Sequence, residues 1–345
     1  MEMEDIFYMK KVLALAKKGW GRVSPNPMVG ALLVKNGKII GTGYHKGPGK
    51  PHAEREAIKN ARESVKGATL YVNLEPCCHY GRTPPCTEII IKSGIKRVVA
   101  SIKDPNPLVN GRGFEILESH GIEVVKGVLE EEAGYLNEIY LKYIQTRRPF
   151  VILKAALTLD GRLGNPELGI KKITGEKSLK WVHYLRKGVD GILVGKGTVL
   201  SDDPSLTTRL VKGKNPVRFV LDTHLSIPRS KRIFKEPGKT IVVSTEEGEG
   251  VWKVGRDKKG RVNLHEFLEL AGKNGITSLL VEGGSEVFTS FLEENLVDKL
   301  YLFYAPFTSG GVPFLREGVL RHFRIRKIRK MGEDIMLEAY PCSRE

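Results

Sequence analysis

Apolar, strand-like runs alternate with helical patterns twice along this 345-residue chain, and the two series meet at Arg147-Arg148-Pro149. The proline ends the helical pattern before it, because it disfavours helical backbone at the preceding residue, and the apolar run FVILKAAL begins directly after it. Such alternation favours helices packed on a sheet. We therefore predict an α/β protein with two domains, 1–147 and 148–345.

Hydrophobic periodicity assigns the elements of both domains. A helix over 6–18 is followed by two strands joined at Asn36-Gly37, a pair that favours the positive φ angles of a type I′ hairpin turn. The other predicted elements of the first domain are helices 53–63, 86–93, 112–119 and 129–146 and strands 69–74, 96–101 and 122–126. Those of the second are strands 150–158, 190–195, 217–222, 240–244, 277–281 and 299–305, helices near 176–187, 264–273 and 285–295, and two strands around Gly332.

The chain carries a large positive charge without a basic tail. It has 56 Lys and Arg against 40 Asp and Glu, a formal net charge of +16, and the excess is spread over both predicted domains. A positive charge of this size suits the binding of nucleic acid or of phosphorylated small molecules, since both are anionic. The cations form no tract interleaved with aromatic residues, so we expect small phosphorylated ligands and no nucleic acid.

The sequence also indicates where the protein works. No window approaches the roughly 18 uncharged apolar residues of a membrane helix, and acidic residues stand near the N-terminus where a secretory signal carries Lys or Arg. We therefore expect a cytoplasmic protein with no membrane partner. Four cysteines make a poor disulfide framework, so the close trio Cys77, Cys78 and Cys86 indicates metal binding or catalysis.

The sharpest chemical motif joins a histidine, a glutamate and two cysteines. A catalytic zinc site needs three imidazole or thiolate ligands and a fourth position left to water, and His52, Cys77 and Cys86 supply that set. Glu54 lies two residues past the histidine at the start of a helix, where its carboxylate can shuttle the proton of bound water. This is the order of zinc nucleobase deaminases, HxE then PCxxC, with eight residues here between the cysteines.

A simpler interpretation exists for each of these residues taken alone. His52 would cap a helix, and the cysteines would be small buried hydrophobic residues. The joint order, with Pro76 before Cys77 and Glu54 in register, favours the zinc site. Cys78 is then a bystander, because a fourth protein ligand would leave no place for water.

Four segments of the first domain resemble a known family: SPNPMVGALLV, HAE, EPCCHYGRTPPC and DPNPLVNGRG. They are similar to the deaminase half of the bifunctional riboflavin biosynthesis proteins, in which a diaminohydroxyphosphoribosylaminopyrimidine deaminase is joined to a 5-amino-6-(5-phosphoribosylamino)uracil reductase. The resemblance implies a cytidine-deaminase-like αβα domain in which zinc-activated water displaces the pyrimidine amine and Glu54 moves protons. It places Asn26, His45 and His79 in the pocket for the pyrimidine and the ribosyl phosphate.

The second domain lacks a GxGxxG motif after a strand, so a nicotinamide cofactor would not be held in the standard Rossmann manner. It has two glycine clusters instead, Gly195-Lys196-Gly197-Thr198 and Glu282-Gly283-Gly284-Ser285. The second cluster opens a helix, where backbone N–H groups can receive a pyrophosphate. Glycines at such junctions also arise for steric reasons alone, and the sequence leaves both explanations open.

The segments LKAALTLDGRL, ILVGKGTVLSDDPSLTTR, VRFVLDT and LLVEGGSEV resemble the reductase domain of the same family. That resemblance implies a dihydrofolate-reductase-like α/β fold that uses NADPH to open and reduce the ribose to a ribityl chain. The two arginines of the substrate set suit a 5′-phosphate. The implied cofactor positions are Ala156, Thr198, Asp202, Thr223, Gly284 and Ser285, and the implied substrate positions are Arg186, Leu206, Arg209 and Glu282.

One segment departs from the family pattern. Where the family carries a serine and a tryptophan, this chain has Ile170 and Lys172. Lys172 either holds a ligand phosphate or lies in solvent, as lysines usually do. We expect a homo-oligomeric enzyme that uses Zn²⁺ and NADPH on pyrimidine ribosyl phosphates. The alternatives are a deaminase with a degenerate reductase domain, and an RNA-acting deaminase with a basic binding domain.

Overall fold

The computed structural model describes residues 3–81 and 83–342. The chain divides into two compact units, Met1–Arg147 and Arg148–Glu345. Within the described ranges, no helix has the length and apolar character needed to cross a membrane.

The first unit is built on a five-stranded sheet with the order β2-β1-β3-β4-β5. β1 pairs antiparallel with β2 and β3, whereas β3, β4 and β5 run parallel. Asn36 and Gly37 have φ angles of 48° and 72°, as the predicted hairpin turn requires. The elements are α1 (Met3–Ala16), β1 (Gly30–Lys35), β2 (Lys38–Tyr44), α2 (Ala53–Lys59), β3 (Thr69–Leu74), α3 (Cys86–Lys92), β4 (Arg97–Ile102), α4 (Arg112–Ser119), β5 (Glu123–Val125), α5 (Glu130–Leu136) and α6 (Glu138–Thr146).

Both faces of this sheet are covered, which explains the nearly unbroken apolar sequences of β1 and β3. Leu33 of β1 faces a core with side chains of α2, α3 and α4. Leu32, the next residue, faces the opposite side and packs with α1 residues such as Met9. The result is a three-layered αβα unit.

The predicted single helix over 129–146 is wrong. The chain forms α5 and α6 there, and Asn137 between them has non-helical backbone angles, φ −108° and ψ 15°. The Asn137 side chain accepts a hydrogen bond from the Met28 N–H at 2.8 Å and donates one to the Met28 carbonyl at 3.0 Å. This distant backbone partner explains the break, since short polar side chains that bond the backbone disfavour a helix interior.

The second unit is built on a nine-stranded sheet with the order β11-β10-β9-β8-β12-β6-β13-β16-β15. Its elements are β6 (Phe150–Thr158), β7 (Arg162–Gly164), α7 (Glu176–Gly188), β8 (Gly191–Gly195), α8 (Lys196–Asp202), β9 (Val217–Leu221), α9 (Arg232–Lys235), β10 (Thr240–Ser244), β11 (Val251–Lys253), α10 (Leu264–Lys273), β12 (Ser278–Val281), α11 (Ser285–Glu293), β13 (Lys299–Ala305), β14 (Val312–Pro313), β15 (Phe323–Met331) and β16 (Asp334–Pro341). Strands β9, β8, β12 and β6 are parallel neighbours, so their carboxyl ends lie along one edge. Such an edge is where open α/β sheets bind ligands.

Candidate active sites of the two units

Three sequence-predicted metal ligands meet in the first unit. The His52 Nδ1 atom lies 3.4 Å from Cys77 Sγ and 3.3 Å from Cys86 Sγ, and all three ligand atoms lie within 4.8 Å of one another. His52 stands at the start of α2, Cys77 follows β3, and Cys86 is the first residue of α3. The Cys86 N–H also donates to Cys77 Sγ at 3.3 Å, which ties the two cysteines together.

The donor set fits a zinc ion. A tetrahedral zinc about 2.3 Å from sulfur and about 2.0 Å from nitrogen holds its ligand atoms roughly 3.5 to 3.8 Å apart. The lower figure applies to a sulfur and a nitrogen, and the observed separations of 3.4 and 3.3 Å fall just below it, so a small expansion accommodates the ion. Three ligands of imidazole and thiolate type also leave the fourth tetrahedral position to a reactant.

The two thiols share their protons unequally. A hydrogen bond from Cys86, followed by the His52 contact, lowers the pKa of Cys77 to about 4. The same contact with Cys77 and burial raise the pKa of Cys86 well above its ordinary value. Binding of a dication therefore releases a proton from the second thiol, because the thiolate is the ligand.

Glu54 lies beside the metal ligands without belonging to the set. Only 4% of its surface is exposed, and burial raises the pKa of its carboxyl group. It interacts electrostatically with His52 and with both cysteines. A carboxyl group in this position can take up and return protons, since its charged and neutral forms are brought closer in free energy.

Two of the three predicted pyrimidine-pocket residues meet beside this centre. The Asn26 Nδ2 atom lies 3.0 Å from His45 Nε2, and the His45 ring stands edge-on to the His52 ring at 5.6 Å between centroids. Burial lowers the pKa of His45, which favours a neutral imidazole. No contact of His79 with the other two is recorded in the described part of the chain, but its buried Nδ1 atom has no hydrogen-bond partner there.

A buried glutamate that the sequence analysis did not single out organises the loops around this centre. The Glu75 carboxylate accepts hydrogen bonds from the N–H groups of Asp104, Gly111 and Gly113 at 3.1, 2.9 and 2.8 Å. A side chain on Gly113 would meet the Pro76 carbonyl oxygen at 2.2 Å. The DPNPLVNGRG loop is therefore fixed against the residues that carry Cys77.

The second unit contains a cleft of about 970 Å³ at the carboxyl ends of β8, β9 and β12. Among its lining residues are five of the six predicted cofactor positions: Thr198, Asp202, Thr223, Gly284 and Ser285. Ala156, the sixth, lies on β6 and is not among the described residues that line the cleft.

The surroundings of the glycines at the cleft distinguish the two explanations that the sequence left open, phosphate binding and steric packing. A Cβ on Gly195 or Gly283 would come within 2.6 or 2.7 Å of Val287, so these two are required by packing. A Cβ on Gly284 would meet only Thr198 Oγ1, at 3.4 Å. The buried Ser285 Oγ, at the start of α11, has no hydrogen-bond partner among the described residues. Gly284 and Ser285 thus present open polar positions at a helix N-terminus, which fits a dinucleotide phosphate.

The segment that departs from the family pattern borders the same cleft. Ile170 and Lys171 line it, and Lys171 Nζ donates to the Ser201 carbonyl at 3.1 Å. Lys172 is exposed and is not among the described lining residues. The structure thus favours solvent for Lys172 and assigns Lys171 to the cleft.

The four predicted substrate residues form a connected cluster. Arg186 binds Glu282 through two hydrogen bonds of 2.8 and 2.9 Å and donates to the Thr207 carbonyl at 3.2 Å. Leu206 precedes that threonine with a φ angle of 52°, and Arg209 Nη1 lies 3.5 Å from Thr207 Oγ1. Arg186 is 8% exposed, whereas Arg209 is exposed.

A lysine that the sequence analysis did not assign joins this cluster. Lys154 Nζ lies 3.5 Å from Glu282 Oε2, and burial lowers the pKa of this lysine. Burial opposes ionisation of Glu282, but Arg186 and Lys154 outweigh it and lower its pKa to about 2. Two cations against one buried carboxylate leave a net positive charge, which Arg209 increases. The cluster therefore suits an anionic ligand.

Comparison with known proteins finds two family models, one within each unit. The model of the cytidine and deoxycytidylate deaminase zinc-binding region matches residues 2–102, and that of the RibD C-terminal domain matches residues 149–337. The riboflavin biosynthesis protein RibD of Aquifex aeolicus is 46% identical over 96% of this chain and 97% of its own length. The chain belongs to the RibD family. The RibD of Escherichia coli is 38% identical over 97% of this chain and 99% of its own length.

Solved structures agree with this membership. A diaminohydroxyphosphoribosylaminopyrimidine deaminase/5-amino-6-(5-phosphoribosylamino)uracil reductase of Thermotoga maritima superimposes with a TM-score of 0.89 at 42% identity, covering 98% of this chain and 99% of its own. RibD of Acinetobacter baumannii gives a TM-score of 0.90 at 34% identity, with 99% of both chains covered.

The resemblance inferred from the motifs is thereby confirmed, together with the fold class. The chain is a bifunctional riboflavin biosynthesis enzyme of the RibD family. Its first unit is a cytidine-deaminase-like zinc hydrolase, and its second is a dihydrofolate-reductase-like, NADPH-dependent reductase.

In this RibD chain, two buried residues that belong to no recognised motif support the reductase site. His183 of α7 is fully buried, accepts the Leu210 N–H at 3.5 Å, and is held neutral because burial and two neighbouring arginines lower its pKa to about 4. Arg218 of β9, 2% exposed, donates to the carbonyls of Ser205, Glu236 and Gly238. Both residues fasten the segment 205–210. The sequence could have indicated these two residues only through a charged or imidazole side chain at a position where the apolar pattern faces the core.

Proposed function

We propose that the first unit hydrolyses the exocyclic amine of 2,5-diamino-6-ribosylamino-4(3H)-pyrimidinone 5′-phosphate, with His52, Cys77 and Cys86 as the zinc ligands. The second unit then reduces the ribosyl group of the product to a ribityl group with NADPH. The observation that carries the deaminase assignment is the convergence of the three ligand atoms beside a buried carboxyl group, Glu54.

Hydrolytic deamination joins a water oxygen to the ring carbon and breaks the bond from that carbon to the amine. A bound zinc ion supplies a water of lowered pKa. Glu54 accepts one proton from the water as the oxygen–carbon bond forms and gives it to the ring nitrogen. It then takes up the remaining hydroxyl proton as the carbonyl forms and gives it to the departing amine, which leaves as ammonia. Burial of this carboxyl group keeps both of its protonation states accessible.

Asn26, His45 and His79 are the proposed partners of the substrate in the first unit. Asn26 can donate to and accept from a pyrimidine edge while His45 holds its amide in place at 3.0 Å. His79 offers a buried ring nitrogen that no described residue satisfies. This nitrogen suits a ribosyl hydroxyl or a phosphate oxygen.

In the second unit we propose that NADPH lies in the cleft, with its pyrophosphate at Gly284 and Ser285 and further contacts at Thr198, Asp202 and Thr223. The nicotinamide transfers a hydride to the first carbon of the opened ribose, and one proton completes the reduction. Lys154 is a suitable source of that proton, because burial lowers its pKa and Glu282 lies 3.5 Å away.

The substrate phosphate is assigned to the cluster around Thr207. Arg186 is engaged by Glu282 through both of its hydrogen bonds to that carboxylate, so its role toward substrate is the placement of Glu282 and of the Leu206 segment. Arg209 is exposed and has its guanidinium available for the phosphate.

The test is a two-part assay of the purified chain with the diaminopyrimidinone ribosyl phosphate. Ammonia should be released without NADPH, and absorbance of the reduced nicotinamide should fall only after deamination. Close to one zinc per chain should be found. Ammonia release by a zinc-free protein would overturn the metal assignment, and deamination without NADPH oxidation would indicate a degenerate reductase domain.

The proposal also covers the cellular compartment of the enzyme, its oligomeric state and its partners. Thiolate ligands and the free cysteines suit a reducing compartment, which supports a cytoplasmic enzyme. We also propose a homo-oligomer with no nucleic-acid or membrane partner. Light scattering coupled to gel filtration measures the oligomeric state, and a monomer at all concentrations would contradict the proposed homo-oligomer.

A further inference from the structure

The eight residues between Cys77 and Cys86 exceed what a pair of metal ligands needs, since two residues suffice in the motif of related zinc sites. We call residues 78–85 the insert; the structure describes all of them except residue 82. The proposed deaminase mechanism assigns a substrate contact to His79 and no task to the residues just before Cys86.

One insert side chain contacts a ligand residue directly. Thr83 Oγ1 lies 3.1 Å from His52 Nε2, whereas His52 Nδ1, the other ring nitrogen, faces the two thiols. When Nδ1 ligates a metal, Nε2 must carry the proton of the neutral imidazole. The hydroxyl of Thr83 is then the acceptor of that N–H.

The insert is itself fastened to the helix that carries His52. Arg55, in the first turn of α2, donates from Nη2 to the Pro84 carbonyl at 3.1 Å and to the Pro85 carbonyl at 3.0 Å. Within the insert, the Gly81 N–H reaches the Thr83 carbonyl at 3.3 Å. The His52 ring and the Thr83 hydroxyl are therefore both tied to α2. The Arg55 guanidinium makes the second tie, because it binds the carbonyls of the two residues that follow Thr83.

We propose that Thr83 is a positioning residue of the zinc site, which fixes the orientation of the His52 ring, and that Arg55 acts through Thr83 by anchoring the insert. The proposal rests on the assignment of His52 as a zinc ligand under the proposed function. Partners of this kind set the orientation and basicity of a histidine ligand, and their loss typically lowers metal affinity about 10- to 100-fold.

The measurement is zinc affinity by competition with a chromophoric chelator, which needs no substrate and no turnover. Thr83→Val keeps the shape of the side chain and removes the acceptor, and should weaken zinc binding about 10- to 100-fold. Thr83→Ser keeps the hydroxyl and should stay within about threefold of the wild type. Thr42→Val is the matched control, because Thr42 is an exposed threonine of the same unit.

A double-mutant cycle tests the role of Arg55. Arg55→Met should weaken zinc binding, as Thr83→Val does. The double variant should lose little more zinc affinity than Thr83→Val alone, because both changes remove the same interaction. Lys59→Met, at the exposed end of α2, serves as the matched control. Additive losses would separate Arg55 from Thr83 and overturn that part of the proposal.

The outcomes also distinguish this inference from the proposed function. If the wild-type chain fails to bind zinc, the assignment of the ligands is wrong. If the wild type binds zinc tightly and Thr83→Val binds it equally well, the positioning role is wrong. Should Thr83→Val lose its far-ultraviolet circular dichroism, Arg55→Met decides the question, because unchanged zinc affinity in that variant would count against the anchored insert.

Discussion

Glu54 combines burial with proximity to all three proposed ligands while remaining outside the ligand set. Replacement by glutamine keeps its size and removes its ability to carry a proton. We expect Glu54→Gln to slow ammonia release about 10²- to 10⁴-fold, the usual contribution of a positioned acid or base. Zinc content should be unchanged, and the variant should still reduce deaminated substrate. Deamination within a few-fold of the wild-type rate would show that another group moves the protons.

Lys171 and Lys172 are adjacent lysines with different surroundings, which makes each the control for the other. Lys171 lines the cleft and Lys172 is exposed. Lys171→Ala should raise the KM for NADPH several-fold, up to about tenfold, which corresponds to about 1.4 kcal/mol. Lys172→Ala should leave it unchanged. The reverse result, with the loss in Lys172→Ala, would favour a ligand phosphate at Lys172, the other alternative that the sequence left open.

Most of the residues to which we assign chemistry could be predicted, because each belongs to a short local pattern of distinctive composition. Lys154 is an exception, and so are the residues that hold the site residues in place. These supporting residues make hydrogen bonds to groups far away in the sequence. The partner is a ring nitrogen for Thr83 and a backbone group for His183 and Arg218. A backbone acceptor has no side-chain identity, so no sequence pattern marks it.

At the scale of elements, the buried strands were the most predictable features. β8 and β12 are buried along their whole length, and each carries three consecutive large apolar residues, ILV and LLV. β7, β11 and β14 have only two or three residues, too few for a periodic pattern. α8 begins at Lys196, directly after the last residue of β8, with no turn residues to separate the two elements.

Gly113 in α4 shows how one element depends on close approach to a loop. A methyl group there would overlap the Pro76 carbonyl oxygen, and the loop before Cys77 would have to move. We expect Gly113→Ala to destabilise the first unit by about 1–3 kcal/mol, as overpacking generally does. Thermal unfolding measures this loss, and zinc affinity should fall with it.

Gly134 in α5 provides the matched control for that substitution. It is also a helical glycine, but a Cβ there would meet no described atom within 4 Å. Gly134→Ala should therefore stabilise the chain, by roughly 0.5–1 kcal/mol, because alanine favours helix more than glycine does. Equal effects of the two substitutions would contradict the packing argument.

On the scale of the whole molecule, two units carry two chemistries with separate cofactors. Zinc is assigned to the unit Met1–Arg147 and NADPH to the unit Arg148–Glu345. Removal of zinc with a chelator should abolish ammonia release and leave the reduction of deaminated substrate within about twofold, since the reductase cluster contains no metal ligand of the proposed set. Activity assays before and after zinc is restored would check this. Loss of both activities together would show that the metal supports the second unit as well.

One of the two edge strands of the large sheet, β15, has seven consecutive exposed residues, 324–330, of which five are Arg or Lys. An uncovered strand edge is a template for pairing with another chain, and cations are a common defence. Two copies laid antiparallel along β15 would bring like charges together, and their repulsion opposes edge-to-edge pairing at this strand. At about 1 M salt the screening length falls to about 3 Å. Concentrated salt therefore weakens the repulsion between two such edges. The exposed side chains of Ile325 and Ile328, at 52% and 64%, are then free to make apolar contacts with another chain.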